Sequence, residues 1–141
     1  GPLGSDGLAF VIHGDPRGGA ALGNAGEGLG FGTNATSGNV VDPIAPSVAV
    51  EFDTHQNAAF DPDGNHVALV LDGQVSRHAA LSSAPCPAPA GIALGCLNSG
   101  EPVYVWIDYG AAVPQRLEVF ASSRAVKPTA PLRETAARPV P

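Results

Sequence analysis

The run Val48-Ala49-Val50-Glu51-Phe52-Asp53-Thr54 alternates large apolar side chains with small or acidic ones. Alternation with period two predicts a β-strand with one face against a core. Val48, Val50, Phe52 and Thr54 then share a face, and Ala49, Glu51 and Asp53 share the other. Valine and phenylalanine belong inside, so two carboxylates project from the opposite face. A second strand opens at His66, with His66, Ala68 and Val70 on one face and Val67, Leu69 and Leu71 on the other. Antiparallel pairing of these strands would set His66 across from the carboxylate pair. The connection between them, residues 55–65, is long for a hairpin and rich in oxygen donors: Asn57, Asp61, Asp63 and Asn65. Such a loop needs something to hold it, and metal ions are the physical candidate.

The donors sort into two classes. Glu51, Asp53 and Asp61 with the imidazole of His66 suit an octahedral ion of the Mn2+ type, which prefers oxygen and tolerates one nitrogen. Asp53, Asn57, Asp61 and a main-chain carbonyl suit Ca2+, which takes six to eight oxygens, neutral ones included. Two divalent cations would offset carboxylates that otherwise repel one another.

Outward from this centre the chain is dense in punctuation, with 18 glycines and 14 prolines in 141 residues. Few stretches long enough for a helix escape both, so the expected class is all-β. Gly7 to Ile12 reads as a buried strand, and residues 17–47 as loops with one brief strand near Leu29–Phe31. Asp72-Gly73 closes the His66 strand as a hairpin signal. Residues 79–100 read as a Pro/Ala/Gly/Ser-rich connection, and residues 102–108 and 116–121 as a final hairpin. His13 and His78 are read as surface residues. The expected organisation is an expression-tag scar at 1–5, one domain over 6–126, and a Pro/Ala/Arg-rich tail or linker over 127–141.

The net charge is −6, and seven basic residues form no stripe to neutralise phosphates, which excludes a nucleic-acid binder. No apolar run is long enough for a membrane span. Cys86 and Cys96 flank a short loop and suit a local disulfide rather than a metal knuckle. With the sequon Asn34-Ala35-Thr36, the cysteines point to an extracellular setting, secreted or at the cell surface.

These residues resemble the metal-binding signature of legume (L-type) lectins: Val48 to Thr54, then Asn57, then Asp61-Pro62, then His66-Val67. Asp6-Gly7-Leu8-Ala9-Phe10 is similar to the strand whose Asp contacts the sugar, and Gly28-Leu29-Gly30 to the second sugar loop. The resemblance implies an antiparallel β-sandwich of the concanavalin-like jelly-roll type, minimal or truncated against longer relatives. It implies Ca2+, Mn2+ or a similar transition metal, and glycan binding without catalysis. The transition metal would be held by Glu51, Asp53, Asp61 and His66, and calcium by Asp53, Asn57, Asp61 and the carbonyl of His55. Asp6, the loop residues Gly26, Glu27 and Gly28, the amide of Asn57 and the ring of His55 would face the sugar. A cis peptide before Asp6 is also implied. Missing family strands would leave apolar edges for another chain or a neighbouring domain to cover.

Other readings are weaker. Asp61-Pro62-Asp63-Gly64-Asn65 alone would be an acidic β-turn. An EF-hand fails because its glycine position falls on His66. A sandwich glycoside hydrolase needs a second carboxylate where Gln56 stands. A structural or adhesin module whose metals only stiffen a loop, with a vestigial sugar site, is the main competitor.

Overall fold

The computed structural model describes residues 4–33, 41–83, 86, 95–110 and 116–136. Seven strands lie in two antiparallel sheets: β1 (Gly7–His13), β2 (Ser47–Asp53), β3 (His66–Leu71) and β4 (His78–Ser83) in the first, and β5 (Tyr104–Gly110), β6 (Arg116–Ser122) and β7 (Arg133–Ala136) in the second. Within each sheet the strands lie side by side in chain order. The all-β sandwich is therefore present.

The alternation of β2 sorts as its side chains dictate. Val48, Val50 and Phe52 of β2 pack with Val67 and Leu69 of β3 against Leu117 and Val119 of β6. This inner layer is what joins the two sheets. The outer face of the first sheet is buried as well, because Phe31, Ile44 and Val75 cover Ala49, Ala68 and Val70. A sheet buried on both faces explains why every residue of β2 is buried. Leu69 has no exposed surface, and Leu69→Ala is expected to cost about 2–5 kcal/mol through the cavity it leaves. Urea melting of the variant checks this.

The covering loops are tied down by Asp15 and Arg17. Asp15 accepts from the Arg17 guanidinium at 2.7 and 2.9 Å and from the Ala45 amide at 3.0 Å. Arg17 reaches on to the carbonyls of Asp42 and Pro43. This pair holds the Asp15 carboxyl well below the usual carboxylate range. Peptide bonds Ser5–Asp6 and Ala45–Pro46 are cis.

Three expectations are corrected. No strand forms at Leu29–Phe31; Gly26–Gly28 is a 3-10 turn, Leu29 is left-handed, and Phe31 is buried over the outer face. Glycines on both sides let this segment turn rather than extend. His78 to Ser83, read as connection and surface, is strand β4, and its small residues carry little strand signal. The stretch from Lys127, read as tail or linker, supplies β7 paired to β6. Its four residues are too few for a periodic pattern to register.

The expected disulfide joins Cys86 to Cys96, with Cα atoms 5.3 Å apart. The sequon lies outside the described residues. Beside β1 and β5 the sheets part around an apolar cleft of about 560 Å³ lined by Leu8, Phe10, Phe52, Leu97, Val105 and Ile107. Leu8 and Phe10 are exposed there.

Candidate metal centre

Register builds the centre. Asp53 pairs with His66 and Glu51 with Ala68, so both carboxylates and the imidazole share the outer face. Ala68 is small, which leaves room beside it for the longer side chains. The 55–65 loop then folds back over this face. Asp61 presents one oxygen inward, and its other accepts from the Asn57 amide at 2.7 Å. Asp53 accepts from the His55 amide at 2.7 Å. These turns order the loop backbone around the carboxylates.

His66 has no exposed surface, and its Nδ1 lies 3.0 Å from the Asp63 carbonyl. A carbonyl only accepts, so Nδ1 carries the proton and Nε2 of the neutral ring is a bare lone pair. That lone pair faces Glu51 at 3.6 Å, Asp61 at 3.7 Å and Asp53 at 4.0 Å. Acceptors facing acceptors inside a protein need a proton or a cation among them; in the metal-free fold a proton on Nε2 serves, and a divalent ion would take its place. Among the described residues no Lys or Arg is in ion-pair range of these carboxylates. The buried atoms Asn57 Oδ1, Asp61 Oδ1 and His66 Nε2 lack hydrogen-bond partners. Asp53, Asp61 and His66 place their donor atoms within 4.8 Å of one another. The residues present fit a divalent ion.

Electrostatics carry the same signature. Burial pushes the Asp53 carboxyl up to about 6 and raises Asp61 as well. Burial would lower His66, but Glu51 and the two aspartates beside it outweigh that and raise it. Burial would raise Glu51, and the imidazoles of His66 and His78 more than offset this and hold it lower. Three groups thus bind protons more tightly in the metal-free fold than in the unfolded chain. Each favours the fold below its unfolded pKa and loses that contribution as pH rises through its folded value. Metal-free protein should therefore melt higher at pH 5.5 than at pH 8, with the loss beginning near the unfolded Asp value of 3.8, running through about 6 for Asp53, and continuing above 6.5 for His66. Glu51 opposes this only toward its ordinary 4.5 and below. Calorimetry of the chelated protein checks the direction.

Of the residues expected to hold calcium, Asp53 and Asp61 come together beside His66, and Asn57 presents a buried Oδ1 without a partner; the side chains of Asp63 and Asn65 instead bond within the loop and to the disulfide segment. Asp63 accepts from the Asn65 amide, and the Asn65 side chain bonds the Gly95 carbonyl and the Leu97 amide, anchoring the disulfide segment. The residues expected to face a sugar gather at the rim. A Cβ at Gly26 would lie 3.6 Å from Asp6 Oδ2, and Asn57 Nδ2 lies 3.4 Å from Glu27 Oε2. Glu27 and Gly28 are buried, and His55 is exposed.

His78 is the residue that sequence reasoning missed. Its Nε2 lies 3.0 Å from Glu51 and 3.8 Å from Asp61. The signal available was a histidine just beyond the Asp72-Gly73 turn, but its face depends on a bulge that the sequence does not announce.

Comparisons with known proteins accord with this architecture. The chain is 35% identical over 132 residues to a probable inactive L-type lectin-domain containing receptor kinase III.1 of Arabidopsis thaliana, covering 89% of this chain and 20% of that protein. It is 30% identical over 131 residues to the L-type lectin-domain containing receptor kinase SIT2 of Oryza sativa subsp. japonica, covering 92% and 19%. The chain thus spans about a fifth of the length of these relatives. No solved structure matches it significantly. The model of the legume lectin domain matches residues 1–137, and the chain belongs to that family.

Proposed function

We propose that this chain is a non-catalytic carbohydrate-binding module whose glycan site is held in shape by Ca2+ and a neighbouring transition-metal ion, Mn2+ or similar. The observation that carries the reading is the buried Nε2 of His66 set within 4.0 Å of three buried carboxylates. Glu51, Asp53, Asp61 and His66 would hold the transition metal; Asp53, Asn57, Asp61 and the His55 carbonyl would hold calcium. The ions supply fixed positive charge that locks the 55–65 loop. Asp6 accepts from sugar hydroxyls, the Asn57 amide donates to one, the Gly26–Gly28 turn offers backbone donors, and the His55 ring stacks. The organisation proposed is a tag at 1–5 and a lectin domain from residue 6 that includes strand β7.

A metal-stiffened structural or adhesin module is the second reading, because the Asn57 amide faces the Glu27 carboxylate. Asn57→Asp separates the two. It keeps an oxygen for calcium but replaces the donor with a charged acceptor. Glycan binding on an array should fall about 10- to 100-fold, while most of the metal-dependent stability survives. An array on which wild type and variant bind alike would place the sugar site elsewhere. The disulfide and the receptor kinases among the relatives support an extracellular location. Among the described residues no helix is long and apolar enough to cross a membrane.

A further inference from the structure

The connection from β3 to β4 contains an irregularity with chemical consequences. Leu69 pairs with Ala80, yet Val70 pairs with His78, so Ala79 is an extra residue in the ladder. Without that bulge His78 would stand opposite Leu71 and point into the inner core. One inserted residue reverses the facing of everything beyond it. His78 is thereby turned onto the outer face, beside Val70 and toward Glu51.

The side chain that arrives there is 9% exposed, and its Nε2 has no hydrogen-bond partner. Glu51, His66 and His78 place donor atoms within 4.8 Å of one another. The two rings lie 5.4 Å apart and are tilted by 59°, so they converge rather than stack. Nε2 of His78 is 3.0 Å from Glu51 and 3.8 Å from Asp61, two carboxylates that also face His66. An ion with bonds of about 2.1 Å sets adjacent donors about 3.0 Å apart in an octahedron and about 3.4 Å apart in a tetrahedron. The His78–Glu51 spacing of 3.0 Å matches the octahedral edge, and the 3.8 Å from His78 to Asp61 is longer, so an ion would draw Asp61 inward.

We propose that His78 is a direct ligand of the transition-metal position, which makes the centre a two-imidazole site suited to Zn2+ or Co2+ more than to Mn2+. This rests on the metal reading above and deepens it. A second nitrogen donor strengthens binding of ions late in the first-row series far more than of Mn2+, which favours oxygen. The site keeps its carboxylates, so it discriminates by donor type rather than by charge.

The test strips the protein and titrates it separately with zinc and manganese, with zinc X-ray absorption counting imidazoles. Wild type should show two imidazoles on zinc and His78→Ala one. The variant should lose about 100-fold in zinc affinity and less than about 10-fold for manganese. His78→Gln keeps the side-chain volume and should behave as His78→Ala does, so the test survives if the alanine variant folds poorly. Cobalt loading adds a readout, because loss of one nitrogen should shift the visible bands. One imidazole in wild type, or zinc affinity unchanged in both variants, would overturn the role of His78 and leave the metal reading standing. Failure of wild type to bind any divalent ion overturns both.

Discussion

Treatment with EDTA is expected to lower the melting temperature of the loaded protein by at least about 10 °C, through loss of ions that bind only the folded chain. At a thousandfold excess over Kd a single ion adds about 4 kcal/mol to folding, and in a domain of this size each kcal/mol moves the midpoint by about 2–8 °C. The donors belong to different elements, which is why the effect should be global. Glu51 and Asp53 come from β2, His66 from β3 and Asp61 from the loop between them. Unfolding scatters them, and no local segment of the unfolded chain recovers the site. A chelator also leaves three carboxylates around His66 with no compensating ion, so the stripped fold carries repulsion as well as lost binding. Scanning calorimetry before and after chelation, then after separate return of calcium and a transition metal, measures each contribution. An unchanged midpoint would overturn the metal centre.

Much of this centre was legible because a strand has a fixed period. Given Val48, Val50 and Phe52 inside, Glu51 and Asp53 had to face outward together, and one antiparallel pairing brought His66 opposite Asp53. The loop's donors could be named but not sorted. Asp61 and Asp63 are chemically alike, yet one faces the imidazole and the other takes its Nδ1–H on a backbone carbonyl. That choice is made by the path of the loop, which no periodicity governs. His78 was illegible for a related reason. Its parity depends on the bulge at Ala79, a single-residue event that no period in the sequence marks. Strand β7 escaped because Arg133–Ala136 is short and polar, and it is defined by its partner β6 more than by its own residues.

Asp53 separates the two faces of the centre most sharply, because the same carboxylate is a burden without metal and a ligand with it. Burial raises its pKa to about 6, so at pH 8 the stripped fold holds it ionised against its environment, at a cost on the order of 2–3 kcal/mol. Asp53→Asn removes the charge and keeps the oxygen that accepts from the His55 amide at 2.7 Å. The stripped variant should therefore be more stable than stripped wild type at pH 8, by up to that amount. The order should reverse on addition of calcium and a transition metal, because Asp53 is proposed to ligate both ions and an amide is a far weaker ligand for them. Wild type should gain at least about 4 kcal/mol from the ions and the variant little of it. The advantage of the variant in the stripped state should shrink at pH 5, where wild-type Asp53 takes up its own proton. Denaturant titration of both proteins with and without metals, at the two pH values, gives all the required comparisons. A variant less stable than wild type in the stripped state at pH 8 would show that Asp53 serves the fold without an ion.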